Sequence, residues 1–328
     1  MREAGRGRLF RLPLLHPQPG RPGLRHLPHP WPSRGRRRRS PSMRTALIAG
    51  LLAAGAAVAA PSSPPEWSAP TDPFRVADNL YYVGTAGISA WLVTTPQGHI
   101  VIDGAMPTSA PLIQSSIRRL GFNPRDVKIL LNTHAHFDHT GGLADLKRDT
   151  GARLLANPAD RKALETGVYP GWEEVRDLDF APVKVDGDLK DGQAVRLGGA
   201  VLTPHFTPGH SPGCTTWTFT VTDRGQSHSA LLYCSTSVAA NRLASRERGP
   251  QYPGIVGDYR HSFARLKSMK ADIFLAPHAD QFGLAEKRAR LKEGTPNPFV
   301  DPRELARRVA GSEADFNREL ARQEAQAK

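Results

Sequence analysis

The chain has 328 residues, and 44 Lys and Arg against 31 Asp and Glu give it a formal net charge of +13. Its first 59 residues hold 12 arginines and one glutamate, so the remainder is close to neutral. Because the positive charge is confined to the front of the chain, the composition excludes a strongly basic mature protein and predicts no nucleic-acid partner.

The front of the chain divides into a basic segment and an apolar segment. Residues 1–42 are rich in Arg, Pro and His; a nucleic-acid-binding arm and a twin-arginine signal are alternatives, and we favour a non-native or disordered leader. Residues 43–59 begin with Met-Arg, continue as a short apolar run and end in Ala-Val-Ala, which is typical of a secretory signal peptide. We therefore predict a periplasmic monomer with one mature domain, residues 60–328, and no membrane association after signal cleavage.

After a Pro/Ser-rich spacer, the first half of the mature chain alternates between strand and helix patterns. Predicted strands cover residues 79–84, 90–95, 99–104, 127–131 and 153–156. Predicted helices cover 108–120 and 159–165, with another beginning at 143 for which Thr140 is a possible N-cap.

The second half repeats this theme. Predicted strands cover residues 194–197, 200–205, 215–221, 229–233 and 273–276, and predicted helices cover 259–268, 302–308 and 312–326. Strand runs followed by helices, twice over, predict an α/β protein: an αββα sandwich of two mixed β-sheets flanked by helices.

A dense group of polar residues follows the predicted strand 127–131. The run Thr-His-Ala-His-Phe-Asp-His-Thr-Gly-Gly places His134, His136, Asp138 and His139 within six residues. Burying so many polar groups for packing alone would be costly. Imidazole and carboxylate are the side chains that hold a hydrolytic zinc ion, so a loop at the carboxyl end of a strand is predicted to bind metal.

Two further histidines also follow predicted strands. His210 lies in a Gly/Pro-rich loop, and His278 follows the strand 273–276. Taken singly, each is an ordinary structural histidine. Combined with the first group, they supply three ligands for each of two metals and leave each metal an open position for water.

The two cysteines, Cys214 and Cys234, lie beside predicted core strands. An even number of cysteines in an exported protein predicts a disulfide between them. A role as zinc ligands is the alternative, but no CxxC spacing supports it.

The HxHxDH pattern and the predicted element order resemble the metallo-β-lactamase superfamily over about 250 residues. Glyoxalase II, lactonases, nucleases and phosphodiesterases share that signature. The segments 205–217, 234–238 and 276–278 more closely resemble subclass B3 metallo-β-lactamases. Ser235 stands where most of the superfamily has a bridging aspartate and subclass B1 has a cysteine; a slip of one residue would make Cys234 a ligand.

The resemblance implies two Zn²⁺ ions per chain. His134, His136 and His210 would bind the first zinc, and Asp138, His139 and His278 the second. Asp138 would also be catalytic, because it orients the attacking hydroxide.

The resemblance also suggests roles around the metals. Ser235 and Ser237 would bind the substrate carboxylate, unless they are plain strand-end serines. Asp103 would hold a metal loop by hydrogen bonds, unless it only stabilises a turn. His205 is expected to be structural or to support a ligand. The candidates for lining the cleft are Tyr169, Trp172, Asn241 and Arg242.

The implied function is zinc-dependent hydrolysis of the β-lactam amide bond of penicillins, cephalosporins and carbapenems by a metal-bound hydroxide, and hence antibiotic resistance. A glyoxalase II-like thioesterase or a lactonase is the alternative enzyme, disfavoured by Ser235 and the export signal. A zinc-binding module without catalysis is a third reading, disfavoured by the complete set of six ligands.

Overall fold

The computed structural model describes residues 63–169, 171–292 and 294–328. The predicted leader and signal peptide lie outside these residues, so the predicted domain boundaries stay predictions. Within the described ranges, no helix has the length and apolar character needed to cross a membrane.

A seven-stranded sheet forms from the first half of the described chain. Its strands lie side by side in chain order: β1 (Phe74–Ala77), β2 (Leu80–Tyr82), β3 (Trp91–Thr95), β4 (Gly98–Ile102), β5 (Val127–Leu131), β6 (Arg153–Ala156) and β7 (Gly187–Asp188). β1 to β4 pair antiparallel, and β4 to β7 pair parallel.

A five-stranded sheet forms from the second half. Its strands are β8 (Val195–Leu197), β9 (Ala200–Phe206), β10 (Thr215–Asp223), β11 (Gln226–Leu232) and β12 (Ile273–Leu275). The spatial order is β12-β11-β10-β9-β8, and β11 pairs parallel with β12 while the other pairs are antiparallel. Both sheets are therefore mixed, as predicted.

Helices flank the sheets. They are α1 (Ala110–Arg119), α2 (Phe137–Thr140), α3 (Leu143–Thr150), α4 (Arg161–Thr166), α5 (Ile255–Ser268), α6 (Leu284–Arg290) and α7 (Glu304–Ala327). Short 3-10 turns cover Pro65–Trp67, Pro124–Asp126, Pro158–Asp160, Arg176–Leu178 and Ala279–Phe282. The predicted αββα sandwich is confirmed.

Strand alternation divides the apolar residues into two cores. On β4, Ile100 and Ile102 pack in the cluster that contains Trp217 of the second sheet. Val101, between them, packs in the cluster that contains Ile113 of α1. Successive side chains of a strand point to opposite faces, so β4 can separate a core between the sheets from a core beneath the helices.

Two predictions about helices were wrong. Thr140 is not the N-cap of α3: it ends the separate turn α2, and its hydroxyl donates to the carbonyl of His136 at 2.9 Å. The two predicted C-terminal helices are one helix, α7, which continues through Gly311. A glycine destabilises a helix by about 1 kcal/mol. Burial of Phe316 and Leu320, which lie on one face of α7, stabilises it by about 1.5–3 kcal/mol for each side chain, which is more than the glycine costs.

Candidate metal centre

The candidate ligands follow the carboxyl ends of strands. β5 leads into the segment with His134, β9 leads into His210, and β12 leads into His278. β9 and β12 point the same way, because β10 is antiparallel to both β9 and β11, and β12 is parallel to β11. Strand direction therefore carries separate loops to one edge of the sandwich, where α/β proteins place their chemistry.

Three histidines from two loops form the first group. The rings of His134 and His136 have centroids 4.5 Å apart, and His210 lies 4.8 Å from the first and 4.6 Å from the second. One nitrogen from each ring lies within 4.8 Å of the other two. The arrangement is a candidate three-histidine metal site.

One aspartate and two histidines form the second group. The Nε2 atoms of His139 and His278 lie 3.2 Å apart, and Asp138 Oδ2 lies 3.2 Å from the former and 3.4 Å from the latter. Asp138 and His139 belong to the helical turn α2 rather than to a loop, so one turn presents both. These residues are a second candidate metal site.

A chain of hydrogen bonds from Asp103 orients His134. Asp103 accepts from the backbone N–H of Thr133 at 2.7 Å and from its hydroxyl at 2.9 Å. Because the Thr133 hydroxyl donates its hydrogen to Asp103, its oxygen can accept a hydrogen bond from His134 Nδ1, which lies 3.0 Å away. The Nε2 atom of His134 is buried and has no hydrogen-bond partner among the described residues, as expected of a nitrogen whose partner is a metal.

His210 is held in the same manner by a different loop. Its Nδ1 lies 2.7 Å from the carbonyl oxygen of Ser237, which can only accept, so Nδ1 carries the proton and Nε2 keeps its lone pair. Tyr259 donates to the same carbonyl at 2.8 Å, and the side-chain amide of Asn241 donates to the backbone carbonyl of His210 at 2.8 Å. Both ends of His210 are therefore fixed.

The protonation states suit metal binding. Burial lowers the pKa of His134 and His136 well below the usual value, and it lowers the pKa of His210 to about 4. Burial alone would raise the pKa of Asp138, but His139 and its neighbours hold that pKa well below its usual value. Neutral imidazoles and an ionised carboxylate are the forms that bind metals.

Close backbone packing explains why Gly141 and Gly142 follow the ligand run, the segment from His134 to His139. A Cβ on Gly141 would lie 2.4 Å from the nitrogen of Pro107, and one on Gly142 would lie 2.4 Å from the carbonyl oxygen of Gly104. Asp103 lies in the same loop as Gly104 and Pro107 and has a φ of +67°, a strained value for a residue other than glycine. The two glycines thus let the ligand run lie directly on the loop that carries Asp103.

The predicted disulfide is confirmed: Cys214 and Cys234 are bonded, which joins the segment after His210 to the segment after β11. Cys234 is therefore no thiolate ligand, although its sulfur lies 3.6 Å from His134 Nδ1. Ser235 is buried, and its hydroxyl accepts from the backbone N–H of Ser237. Ser237 itself is exposed.

Tyr169 and Trp67 each contact one of the candidate ligands. The Tyr169 hydroxyl lies 3.0 Å from His136 Nδ1, with ring centroids 4.0 Å apart. Trp67 has its ring 5.0 Å from that of His278 and borders a cavity of about 990 Å³ that His278 also lines. Trp67 was missed because it lies in the spacer; a lone tryptophan among prolines was the available signal.

The other residues considered from the sequence lie further out. His205 contacts Thr218 and Arg265, at 2.7 and 3.2 Å, so its role is structural. The guanidinium of Arg242 lies 5.8 Å from the ring centre of Trp172.

Asp160 was missed altogether. Burial raises the pKa of Asp160 to about 7, although hydrogen bonds from the backbone amides of Ala135 and Gly213 act to lower it. It therefore touches both segments that supply the first group of histidines.

Comparison with known proteins agrees with this geometry. Residues 83–222 match the family model of the metallo-beta-lactamase superfamily. The structure of BJP-1, a subclass B3 metallo-beta-lactamase of Bradyrhizobium japonicum, is 48% identical and superimposes with a TM-score of 0.78 over 80% of this chain and 99% of that one. The chain belongs to the metallo-β-lactamase superfamily.

The chain is also similar to a second solved metallo-beta-lactamase and to a curated lactonase. FEZ-1 from Legionella gormanii is 40% identical, with a TM-score of 0.74 over 78% of this chain and 98% of that one. The N-acyl homoserine lactonase AttM of Agrobacterium fabrum is 30% identical over 149 residues, which are 38% of this chain and 56% of that protein. The chain thus spans about half the length of the curated relatives it matches.

Proposed function

We propose that the protein is an exported zinc β-lactamase that hydrolyses the amide bond of β-lactam antibiotics, with one zinc in each candidate site. The observation that carries this proposal is the pair of adjacent three-residue groups, each with ligand atoms within 4.8 Å of one another. The similarity to BJP-1 and FEZ-1, both named as metallo-β-lactamases, supports the choice of substrate.

The donor set suits zinc. Imidazole nitrogens and one carboxylate match its preferred ligands, and three protein ligands per site leave a position open. The unpaired Nε2 of buried His134 supports the fit. When bound, zinc would act as a Lewis acid and lower the pKa of water toward neutrality.

The chain's own residues position the reactants. An ionised Asp138, between His139 and His278, can accept a hydrogen bond from the attacking oxygen and orient it. Ser235 and Ser237 are proposed to bind the substrate carboxylate through their hydroxyl groups. The cavity of about 990 Å³ between Trp67 and His278 is large enough for a substituent of a small organic substrate.

A lactonase or thioesterase is the second candidate function. The curated relatives that favour it are AttM and the hydroxyacylglutathione hydrolases, such as that of Rhodospirillum rubrum, 25% identical over 169 residues. Ser235, where those superfamily relatives are expected to carry a bridging carboxylate, argues for the β-lactamase.

Export to the periplasm and a monomeric state are parts of the proposal. The signal-peptide pattern of residues 43–59 and the disulfide support export. N-terminal sequencing of protein from a periplasmic extract tests the first, and light scattering tests the second.

The deciding experiment is a hydrolysis panel on the zinc-loaded protein. A penicillin, a cephalosporin, a carbapenem, an acyl homoserine lactone and S-lactoylglutathione are compared at equal enzyme concentration. We expect β-lactam turnover that a chelator abolishes and zinc restores. Higher kcat/KM for the lactone or thioester would favour the second candidate, and stoichiometric zinc with no turnover would leave a binding module.

A further inference from the structure

The C-terminal helix α7 is hydrogen-bonded to the loop 241–244, which follows the proposed substrate-binding serines. Gln323 of α7 is only 9% exposed. Its Oε1 accepts from the backbone N–H groups of Leu243 at 2.6 Å and Ala244 at 3.1 Å, and its Nε2 donates to the carbonyl of Asn241 at 3.0 Å. One side chain thus satisfies three backbone groups of a loop without regular structure.

The same loop reaches the first group of histidines. The side-chain amide of Asn241, which is 5% exposed, donates to the backbone carbonyl of His210 at 2.8 Å and lies 3.3 Å from the Tyr259 hydroxyl. Tyr259 donates in turn to the Ser237 carbonyl, which also accepts from His210 Nδ1. Gln323 holds the backbone of Asn241, and Asn241 holds the backbone of His210.

We infer that Gln323 is a positioning residue for His210, so that the C-terminal helix sets the affinity of the first metal site. The inference rests on the two metal sites of the proposed function. It goes beyond them because Gln323 lies 113 residues after His210 in the chain and touches no candidate ligand. Groups that orient a metal ligand typically contribute about 10- to 100-fold to metal affinity.

The two metal sites must be measured separately. In a His278→Ala background, which disables the second site, zinc affinity measured against a chromophoric chelator reports the first site. In a His210→Ala background, the same titration reports the second site. We expect Gln323→Ala to weaken zinc binding about tenfold in the first background and to leave it unchanged in the second.

Two matched variants sharpen the test. Gln326→Ala removes an exposed glutamine of the same helix, bonded to Arg322, and is expected to change neither affinity. Asn241→Ala should reproduce the effect of Gln323→Ala, and the double variant should be no worse than Asn241→Ala alone, because both residues act through one contact.

A purely structural role would give a different pattern. Equal losses in both backgrounds, or a lower melting temperature of the metal-free protein with no change in either affinity, would overturn the inference. Should Gln323→Ala not fold, Gln323→Glu replaces it, because the carboxylate still accepts from Leu243 and Ala244 but cannot donate to Asn241. If Gln323→Glu changes zinc affinity equally in the two backgrounds, the inference is also overturned. Zinc affinity is independent of turnover, so a split without β-lactam hydrolysis would reject the proposed function and leave this inference standing.

Discussion

The candidate ligands fall into two kinds of region. His134 to His139 form a contiguous ligand run, in which one short segment presents four side chains. His210 and His278 are isolated ligands, each on its own loop after a strand of the second sheet. In the ligand run, spacing along the chain brings the side chains together. For the isolated ligands, the packing of one sheet on the other brings the side chains together. His210 is held by hydrogen bonds with a distant part of the chain, the segment with Ser237 and Asn241.

The largest expected effect comes from removing one ligand of each kind. We expect His134→Ala and His210→Ala each to lower kcat/KM for a β-lactam by at least about a thousandfold, because a zinc ion contributes several kcal/mol of charge stabilisation. Steady-state kinetics with a chromogenic cephalosporin measure this. His205→Ala is the control, since His205 contacts Thr218 and Arg265 instead of a ligand. A mild effect of His210→Ala alone would break the comparison and leave the ligand run as the whole site.

The disulfide bears on the isolated ligands. Cys214 and Cys234 are separated by 20 residues and join the His210 segment to the Ser235 segment. Replacing both with serine should lower the free energy of unfolding by about 3 kcal/mol, because the unfolded chain regains loop entropy. Urea denaturation of the metal-free protein measures the change. An unchanged midpoint would show that sheet packing alone holds these segments.

Asp103 tests how the ligand run is held. Asp103→Asn tolerates the positive φ but turns an N–H₂ group toward the Thr133 hydroxyl, which then donates to His134 Nδ1 and favours the wrong tautomer. We expect zinc affinity to fall about 10-fold or more in a chelator competition. Asp145→Asn, on the surface of α3, is the control. Equal affinity of both variants would restrict Asp103 to a turn-stabilising role.

The smallest effect is on pH dependence. Burial lowers the pKa of His210 to about 4 from an ordinary 6.5, so the unfolded chain binds more protons than the folded one between those values. Below pH 6.5 the metal-free protein therefore loses stability as the pH falls toward 4. His210→Gln should reduce this loss, and His261→Gln, at an exposed site on α5, should not. Denaturation midpoints at several pH values measure it, and parallel curves for wild type and His210→Gln would contradict the assignment.

Much of the fold was predictable because its signals are local. The apolar run before His134 predicted β5 with the bounds it has, and the Gly-rich turns predicted the β8–β9 and β10–β11 hairpins. The break predicted within α7 failed because Phe316 and Leu320 are buried in the hydrophobic core, where Phe316 packs on Tyr259 and Phe263 of α5, and this burial outweighs the local preference of Gly311. Thr140 failed as an N-cap because the segment before α3 is itself a helical turn.

The sequence by itself determined which residues are candidate ligands, because histidine and aspartate spacing and position after a strand are local properties. It also predicted the disulfide from the cysteine count. The family resemblance already implied that His210 joins His134 and His136 while His278 joins Asp138 and His139, and the tertiary structure forms these two groups. Only the tertiary structure brought Trp67 to His278 and Gln323 to the Asn241 loop. These contacts join residues far apart in the chain, and their geometry depends on how the sheets and helices pack, which no local pattern encodes.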